Sequence, residues 1–594
     1  MTTTTKPETK RERIERLRAT LVSERDANFR PHWQELGNYL LPRGVRFDAM
    51  AERNRGHKVN QKIINARATL ALRTMQHGMM SGITSPARPW FRLTTPDPEL
   101  AEFARVKQWL HGVTRRLNEI FARSNFYHML SGMYRHLGAF ATAVGMIEEG
   151  EPGAPDGGRD IIRCYRFPIG SYVLATGPDG RVDTFIRQFT MTVRQVVMRF
   201  GDPKAPPSTR WAPFSTYVKQ LWDAGEYEKP IEVVHAIMPN LEHDPRYFEA
   251  RFKRFASCYY ELGAREMASP DRDKFLRESG YDEFPILAPR WDLESPDDVY
   301  GTSCPGMDAL GDIKQLQLLE KRKAQAVEKA YNPPLVGPAE LKHARVSSLP
   351  GDVTYVNVRE GVQGLKPLYE VKPDISGLLE DIQKREELIS RAFFEDVFLM
   401  LAMDARAQPP TAEEIRARHE EKLLMLGPVL DRLNDELYNP AIDIAFGILR
   451  KRGTFDPGMP LEPPEELQGM ELRVEYISIM HQAQKLIATG AIDRFVSTVA
   501  QLGAVQVNAG QKPTALDKLD MDQVIDEYAD ITGVPPKIVV SDEAVARIRA
   551  SRAQTEAAAA AAAQAEQLAK TGKTLADTSL EGDSALTRLL GVPA

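Results

Sequence analysis

The sequence has few cysteines, no long apolar run and no leader-like start. Cys164, Cys258 and Cys304 are odd in number and widely spaced, so neither a disulfide framework nor a zinc site is predicted, and a reducing cytoplasm is the simpler origin. The longest notable apolar run is Val397 to Met403, far short of the ~20 residues that span a bilayer. The polar stretch Met1 to Arg18 lacks the apolar core of a signal peptide, and no membrane partner is expected.

Catalytic motifs are also missing. Gly572-Lys573-Thr574 resembles the end of a phosphate-binding loop, but Gln567 stands where that loop needs glycine. Gly301 to Pro305 does not end in the glycine of a nucleophile elbow, and His419-Glu420-Glu421 lacks the second histidine of a zinc protease. No common ligand spacing joins the nearest candidates for a metal site, His235, His243 and Cys258. The protein is therefore predicted not to be an enzyme and to need no cofactor or metal.

Length and charge limit the remaining possibilities. A chain of 594 residues is too long for one core, and roughly three to five domains or layers are expected. Hydrophobic residues make up 42% and charged residues 27%, which is typical of a globular chain. The net charge of −5 differs from the basic balance of proteins that hold nucleic acid over a broad face. This net charge is compatible with a protein that contacts DNA without binding it tightly.

The first half combines a helical part with a sheet-rich part. Residues 8–150 carry helical periodicity, with Ile14, Leu17 and Leu21 on one face and a second helix expected over about 60–83. The methionines of that helix (Met75, Met79, Met80) and the nearby aromatics (Trp90, Phe91, Phe103, Trp109) are predicted core residues. The alternatives are a subunit contact for the methionines and a base-stacking platform for the aromatics. Between 156 and 300, short β-like runs indicate strands at 161–167, 172–175, 182–191, 232–238 and 255–261.

Helices return in the second half. One apolar stripe contains Leu310, Ile313, Leu316, Leu319 and Val327, and the next contains Ile375, Leu378, Leu379, Ile382, Ile389 and Phe393. An isolated helix pair buries too little of such stripes, so packing against neighbouring copies in a ring is expected. Thr411 and Glu414 have capping-box spacing before a long helix to about 450. Gly427-Pro428 and Asn439-Pro440 are expected to kink or split that helix.

Ordered motifs in this half resemble the head-to-tail connecting (portal) proteins of short-tailed DNA phages. Thr411-Ala412-Glu413-Glu414-Ile415 is followed by Leu426-Gly427-Pro428-Val429 and by Leu433-Asn434-Asp435-Glu436-Leu437. Three further stretches are similar to the family: Asn65-Ala66-Arg67-Ala68, Pro89-Trp90-Phe91-Arg92-Leu93 and Arg391-Ala392-Phe393-Phe394. The order of helix, short β-containing insert, helix, loop and long kinked helix also resembles that family.

The resemblance implies an α+β, mainly helical portal fold that assembles as a dodecameric ring. The implied parts are a helical N-terminal part of the wing (1–155), a sheet-rich wing region (156–305), a first stem helix (306–330), a clip (331–374), a second stem helix (375–397), a tunnel loop (398–410), a channel helix (411–465), a helical crown (466–556) and an Ala-rich tail (557–594).

The resemblance further implies a place at one capsid vertex of the virion, after synthesis in the bacterial host cytoplasm. Double-stranded DNA is expected to enter and leave along the axis. Expected protein partners are the terminase large subunit, the major capsid and scaffolding proteins and a tail adaptor protein. The alternatives are another ring or adaptor protein of the virion, or a packaging ATPase or nuclease, against which the absent phosphate loop counts.

Two groups of residues are candidates for lining the channel. In the implied tunnel loop (Asp404, Arg406, Gln408), Arg406 is hypothesised to approach DNA phosphates as a valve; the alternative is an intersubunit Asp404–Arg406 pair worth ~0–1 kcal/mol if exposed. The implied channel helix carries the acids Glu413, Glu414, Glu420, Glu421, Asp431, Asp435 and Glu436. These form either an acidic wall along which DNA slides or an ordinary solvated face.

Overall fold

A computed structural model describes most of the chain. The described residues are 8–50, 60–97, 100, 103–150, 161–201, 206, 210–262, 274–331, 335–336, 366–367, 375–403, 426–452, 463–467, 472–477, 495–506, 508, 514, 518–525, 540 and 542–576. They fall into two units, residues 1–484 and residues 485–594.

The first unit is rich in helices. They are α1 (Lys10–Asn28), α2 (Arg30–Tyr39), α3 (Arg67–Gly82), α4 (Ala104–Arg123), α5 (Phe126–Phe140), α6 (Val193–Phe200), α7 (Thr216–Asp223), α8 (Pro305–Asp308), α9 (Leu310–Tyr331), α10 (Ile375–Ala392), α11 (Glu395–Met403), α12 (Gly427–Leu433) and α13 (Asn439–Arg452). The second unit contains α14 (Asp542–Ala576). No described helix is long and apolar enough to cross a membrane.

The strands form antiparallel sheets around these helices. They are β1 (Phe91–Thr94), β2 (Val144–Glu149), β3 (Ile162–Phe167), β4 (Tyr172–Thr176), β5 (Val182–Thr192), β6 (Pro230–Pro239), β7 (Phe255–Glu261), β8 (Arg277–Tyr281), β9 (Ile286–Leu287), β10 (Leu335–Val336), β11 (Lys366–Pro367) and β12 (Arg473–Tyr476). The largest sheet has the order β4-β5-β6-β7-β8, and a second has the order β3-β2-β9. Two further pairs, β1 with β12 and β10 with β11, complete the described strands. The fold is thus α+β, and the strands predicted between 161 and 261 are confirmed.

The predicted face of α1 covers one side of the five-stranded sheet. Ile14 is 1% exposed, and Leu17 and Leu21 pack with it against sheet residues that include Val173 and Val234. Thr9 begins the helix with a capping box, since its hydroxyl accepts from the Glu12 N–H while the Glu12 carboxylate accepts from the Thr9 N–H. The prediction for this amphipathic helix is confirmed.

Most of the predicted core residues are buried, with one exception. Met75, Met79, Trp90, Phe91 and Trp109 belong to the main core, where Met80 packs at the edge. Phe103 is 59% exposed, so its prediction as a core residue is wrong. It precedes α4 in an extended conformation (φ −58°, ψ 125°), and the helical periodicity that begins inside α4 therefore does not determine where its side chain lies.

The stripes of α9 and α10 are largely buried inside the single chain. Ile313, Leu316, Ile382, Ile389 and Phe393 are at most 4% exposed and belong to the main core. The expectation that these stripes need neighbouring copies for burial is wrong for those residues, because α2 and α3 cover them. What stays exposed includes Leu318, Leu379 and Leu388, together with much of the C-terminal half of α9.

The predicted break at Asn439-Pro440 is a change of helix type. Residues Asn434–Tyr438 form a π-helical turn between α12 and α13, and the Asn439 N–H donates to the Asn434 carbonyl five residues earlier. Pro440 has no N–H to offer to the Glu436 carbonyl, and the wider turn absorbs that defect while the chain stays helical. Gly427 and Pro428 stand at the start of α12.

Candidate functional site

A sharp corner joins α10 to α11, directly before the implied tunnel loop. Phe394 has φ +54°, a left-handed conformation that costs a bulky residue on the order of 1–2 kcal/mol. The Phe393 side chain is fully buried, and the Phe394 ring packs 6.4 Å from the ring of Trp291. The second of the two predicted stem helices therefore ends at Ala392 rather than at 397. Residues 398–403 of the implied loop belong to α11.

A buried carboxylate fixes this corner to α3. Glu395 is 6% exposed and begins α11. Its Oε2 accepts from Arg67 Nη2 at 2.5 Å and from the Ser390 hydroxyl at 2.5 Å. Arg67 Nη2 also donates to Ser390 Oγ at 2.9 Å. An acid in the first turn of a helix is stabilised by the helix dipole. Glu395 therefore compensates both the positive end of the α11 dipole and the charge of Arg67.

A second polar link joins the start of α3 to α9 and α10. Gln317 is 5% exposed; its Oε1 accepts from the N–H groups of Ile64 (2.6 Å) and Asn65 (2.8 Å), and its Nε2 donates to the Asn65 carbonyl at 3.0 Å. Asn65 Nδ2 donates to Glu320 (3.1 Å) and Glu386 (2.9 Å). The Asn65-Ala66-Arg67-Ala68 motif thus holds three helices in one arrangement.

A glycine allows α11 to lie directly against α3. A Cβ built on Gly78 would stand 2.3 Å from Cγ of Phe398, closer than any real contact. Phe398 is 3% exposed, and Val397 beside it is 7% exposed. The helix that leads into residues 404–425 is therefore packed tightly on the core through its first turns.

A polar cleft of about 330 Å³ borders this junction. Its lining is almost entirely charged: Arg67, Glu386, Glu387, Ser390, Arg391 and Asp396. No group of three or more histidine, cysteine or acidic residues among the described residues is arranged to hold a metal ion.

The π-helical turn is tied to the sheet-rich region by a buried ion pair. Arg290, whose side chain is 4% exposed, donates from Nε (3.1 Å) and Nη2 (2.6 Å) to Oε1 of Glu436. The backbone N–H of Arg290 donates to Oε2 at 2.8 Å. Two turns are also joined through this arginine, which donates to the carbonyls of Asp298 (2.7 Å) and Gly180 (3.1 Å).

A chain of hydroxyl groups supports the same turn from inside. The hydroxyl of Tyr438 lies 2.8 Å from that of Tyr134, which lies 2.8 Å from that of Thr84. Burial raises the pKa of both tyrosines, so they stay neutral and act as hydrogen-bonding groups rather than as acids. Just beyond the turn, Asn439 Oδ1 accepts from the Tyr476 hydroxyl at 2.5 Å.

Asp443 of α13 carries a raised pKa, and so does Glu283, which lies between β8 and β9. Partial desolvation of the carboxyl, and then the charge of Glu283, raise the pKa of Asp443 to about 6, although much of the residue is exposed. The pKa of Glu283 is raised by burial and by Asp282, while Arg450 opposes that shift. This acidic pair titrates closer to neutral pH than ordinary carboxylates.

The residues predicted to line a channel are only partly described. Asp404, Arg406, Gln408, Glu413, Glu414, Glu420 and Glu421, together with Thr411 and its cap, lie outside the described residues. Asp431 and Asp435 are exposed on α12 and the π-helical turn. Glu436 is instead held by Arg290, so its assignment to a solvated acidic wall is wrong.

The sequence motifs that partly resemble catalytic or metal-binding motifs have structural roles where the structure describes them. Cys304 is fully buried, and burial raises the pKa of its thiol to about 12, which makes it a poor nucleophile. His235 is buried, with Nε2 3.0 Å from the Ser257 hydroxyl. Gly572-Lys573-Thr574 lies within α14 and not in a loop.

Comparison with known proteins matches the sequence to a class of phage particle components. The family described as "Bacteriophage head to tail connecting protein" matches residues 11–539. The chain belongs to this family and is a structural connector, a portal protein, rather than an enzyme.

Two curated relatives agree over nearly the whole length. The portal protein of Salmonella phage epsilon15 is 47% identical over 583 residues, covering 98% of each chain. The probable portal protein of Bordetella phage BPP-1 is 42% identical over 567 residues, covering 96% of this chain and 95% of the relative.

Proposed function

We propose that the protein forms a dodecameric ring at one capsid vertex of the virion and that double-stranded DNA passes along its axis during packaging and ejection. In this ring, residues 1–305 form the wing and 306–330 with 375–392 the stem. Residues 331–374 form the clip, α11 leads into a tunnel loop at 404–410, residues 411–465 form the channel helix, 466–556 the crown and 557–594 a tail.

The observation that carries this proposal is the junction around Glu395. The α10–α11 corner, the Arg67 ion pair and the Phe398 contact with Gly78 fix the point from which residues 404–425 depart. On the other side, the Arg290–Glu436 pair fixes the point to which that segment returns. A segment held at both ends by a rigid body is suited to act as a loop and helix along a channel.

The assignment of α9 to the stem is supported by the change in its burial along its length. Its first half is packed in the core, while residues from Lys321 to Tyr331 are largely exposed, with Tyr331 82% exposed. Together with α10, it leads away from the core toward residues 332–374, where the terminase large subunit and later the tail adaptor protein dock in this proposal. The major capsid and scaffolding proteins surround the wing.

Within the channel, the proposed valve is Arg406. One arginine per subunit becomes a ring of like charges in the assembly, and phosphate contacts add steeply to DNA affinity. The acids Glu413, Glu414, Glu420, Glu421, Asp431 and Asp435 form the wall along which DNA slides. Asp404 and Gln408 flank the valve.

Imaging of the purified protein tests the ring. Negative-stain electron microscopy at micromolar concentration is expected to show rings with an axial hole, and light scattering a mass of about twelve times 66.7 kDa. Monomers at that concentration, or closed particles without an opening, contradict the channel.

A further inference from the structure

One face of the five-stranded sheet carries a transverse row of cationic and aromatic side chains. The cross-strand partners run Arg187 to His235, His235 to Tyr259 and Tyr259 to Arg277. Paired residues on one face lie side by side, so this row crosses four strands. At about 4.8 Å per strand, Arg187 and Arg277 are about 14 Å apart.

Arg187 forms no ion pair with an acid of the described residues. Its guanidinium lies 4.6 Å from the ring of Phe167 and 4.1 Å from that of Phe189, and its Nε is shielded from solvent without an acceptor in the described part of the chain. Burial lowers the pKa of this arginine, and Arg199 adds to that effect. Arg187 as a whole is half-buried, and a cation shielded from water is normally paired with an anion, so the arrangement is electrostatically incomplete.

Further cations surround the same point. Arg199 is exposed, and its guanidinium lies 5.4 Å from the ring of Tyr259. Its positive charge also opposes the rise in the pKa of Tyr165 that burial causes. Arg277 is exposed as well. Its positive charge opposes the rise in the pKa of Tyr259 and of Tyr281 that burial causes. Glu148 is the carboxylate that opposes these cations within the described ranges, and it already accepts from the Tyr281 hydroxyl at 3.2 Å.

We propose that the surface beside this row, formed by the exposed Arg199 and Arg277 with the half-buried Tyr165 and Arg187, binds the phosphate backbone of double-stranded DNA outside the channel. Two observations favour DNA over an acidic side chain of a protein. The cations extend over about 14 Å, which exceeds one carboxylate but suits a run of phosphates along a strand. The guanidinium groups and the half-buried Tyr165 hydroxyl provide donors that phosphate and sugar oxygens accept from.

This site goes beyond the channel, because contact with it needs neither a ring nor threading. Covalently closed circular duplex DNA separates the two, since a closed circle cannot pass through a closed ring. Binding of the full-length protein to such circles is measured by gel retardation or fluorescence anisotropy between 50 and 200 mM salt.

The test variant is Arg199→Gln with Arg277→Gln. The slope of log affinity against log salt is expected to fall by about 2, one for each phosphate that the variant no longer neutralises. The charge-matched control is Arg246→Gln with Arg251→Gln, two exposed arginines of the same region that pair with Asp244 and Glu249; it should keep the parent slope. Arg199→Lys with Arg277→Lys should keep most of it as well, which separates loss of charge from misfolding.

Three outcomes overturn the proposal: no binding of circular DNA by the parent protein, an unchanged slope in the glutamine variant, or an equal loss in the control. Competition by polyglutamate at the same charge concentration as DNA assigns the surface to an acidic protein instead. Rings in the microscope together with any of these results leave the channel intact and reject only the surface site.

Discussion

Arg290 and the carboxylate of Glu436 form three hydrogen bonds across 146 residues of sequence, two from the guanidinium and one from the arginine's own backbone N–H. This pair connects the turn after β9 to the π-helical turn. Any movement of the proposed channel helix at this point must break or carry with it a nearly buried charge.

Replacement of Glu436 by Gln is expected to lower stability by about 3 kcal/mol, because it leaves the buried Arg290 charge uncompensated. Chemical denaturation followed by fluorescence measures the change. Asp435→Asn is the control, since the neighbouring acid is exposed and should shift the midpoint little. Equal midpoints for the two variants would show that the ion pair adds nothing.

Gly78→Ala and Gly311→Ala are expected to have opposite effects. A methyl group on Gly78 meets the ring of Phe398 and should cost about 1–3 kcal/mol through overpacking. Gly311 lies in α9 with nothing within 4 Å of the added carbon, so alanine should stabilise the helix by about 0.5–1 kcal/mol. Thermal melts of both variants check the signs, and a neutral Gly78→Ala contradicts the close contact of α3 with α11.

Glu395→Gln is expected to loosen the corner between α10 and α11. The loss of the ionic partner of Arg67 should cost about 2 kcal/mol and increase hydrogen exchange in residues 390–403. Glu387→Gln removes an exposed i,i+4 partner of Arg391 and should change exchange by far less. Unchanged protection in Glu395→Gln rejects the anchoring role.

Stability should depend on Asp443 in a pH-specific way. Its folded-state pKa of about 6 lies above the usual value of 3.8, so the native chain binds the extra proton and loses stability as pH rises from about 4 through 6. Asp443→Asn should therefore exceed the parent in stability above pH 6 and match it near pH 4. The gain is smaller than the full shift implies, because the residue is exposed and water screens it. Melting curves at several pH values, with Asp431→Asn as control, test this; a constant difference at all pH values contradicts it.

Arg406→Ala should leave rings assembled but impair retention of packaged DNA, because the proposed valve loses its charge at every subunit. Nuclease-protected DNA per filled head is the measurement. Arg406→Lys keeps the charge and is expected to retain most of the DNA. Normal retention in the alanine variant contradicts the valve and favours the alternative pairing of Asp404 with Arg406.

Periodicity identified the elements whose burial repeats regularly. The strands of the five-stranded sheet and the buried face of α1 follow directly from alternation and from 3.6-residue spacing. The corner at Phe394 could not be found in this way, because neither glycine nor proline stands there and tertiary packing holds the strained residue. Asn439-Pro440 did signal an irregularity, yet a π-helical turn and a kink have the same sequence signature.

The candidate site was only partly predictable. The family motifs drew attention to Asn65-Ala66-Arg67-Ala68 and Arg391-Ala392-Phe393-Phe394, which flank the junction, but no local pattern links Arg67 with Glu395, 328 residues away. The same holds for Arg290, whose partner Glu436 looked like one more exposed acid on a helix. The need for a ring to bury the helix stripes was overestimated, since α2 and α3 cover residues that sequence alone left without a partner.

The pairing of β1 with β12 has a consequence for synthesis of the chain. Arg92 and Glu475 face each other across 383 residues, and at about 5–20 residues per second the ribosome needs roughly 20–80 s to make the second strand after the first. During that interval, Phe91 and Leu93 occupy an open strand edge in a nascent polypeptide. The first unit can therefore close this edge only after residue 475 has been synthesised.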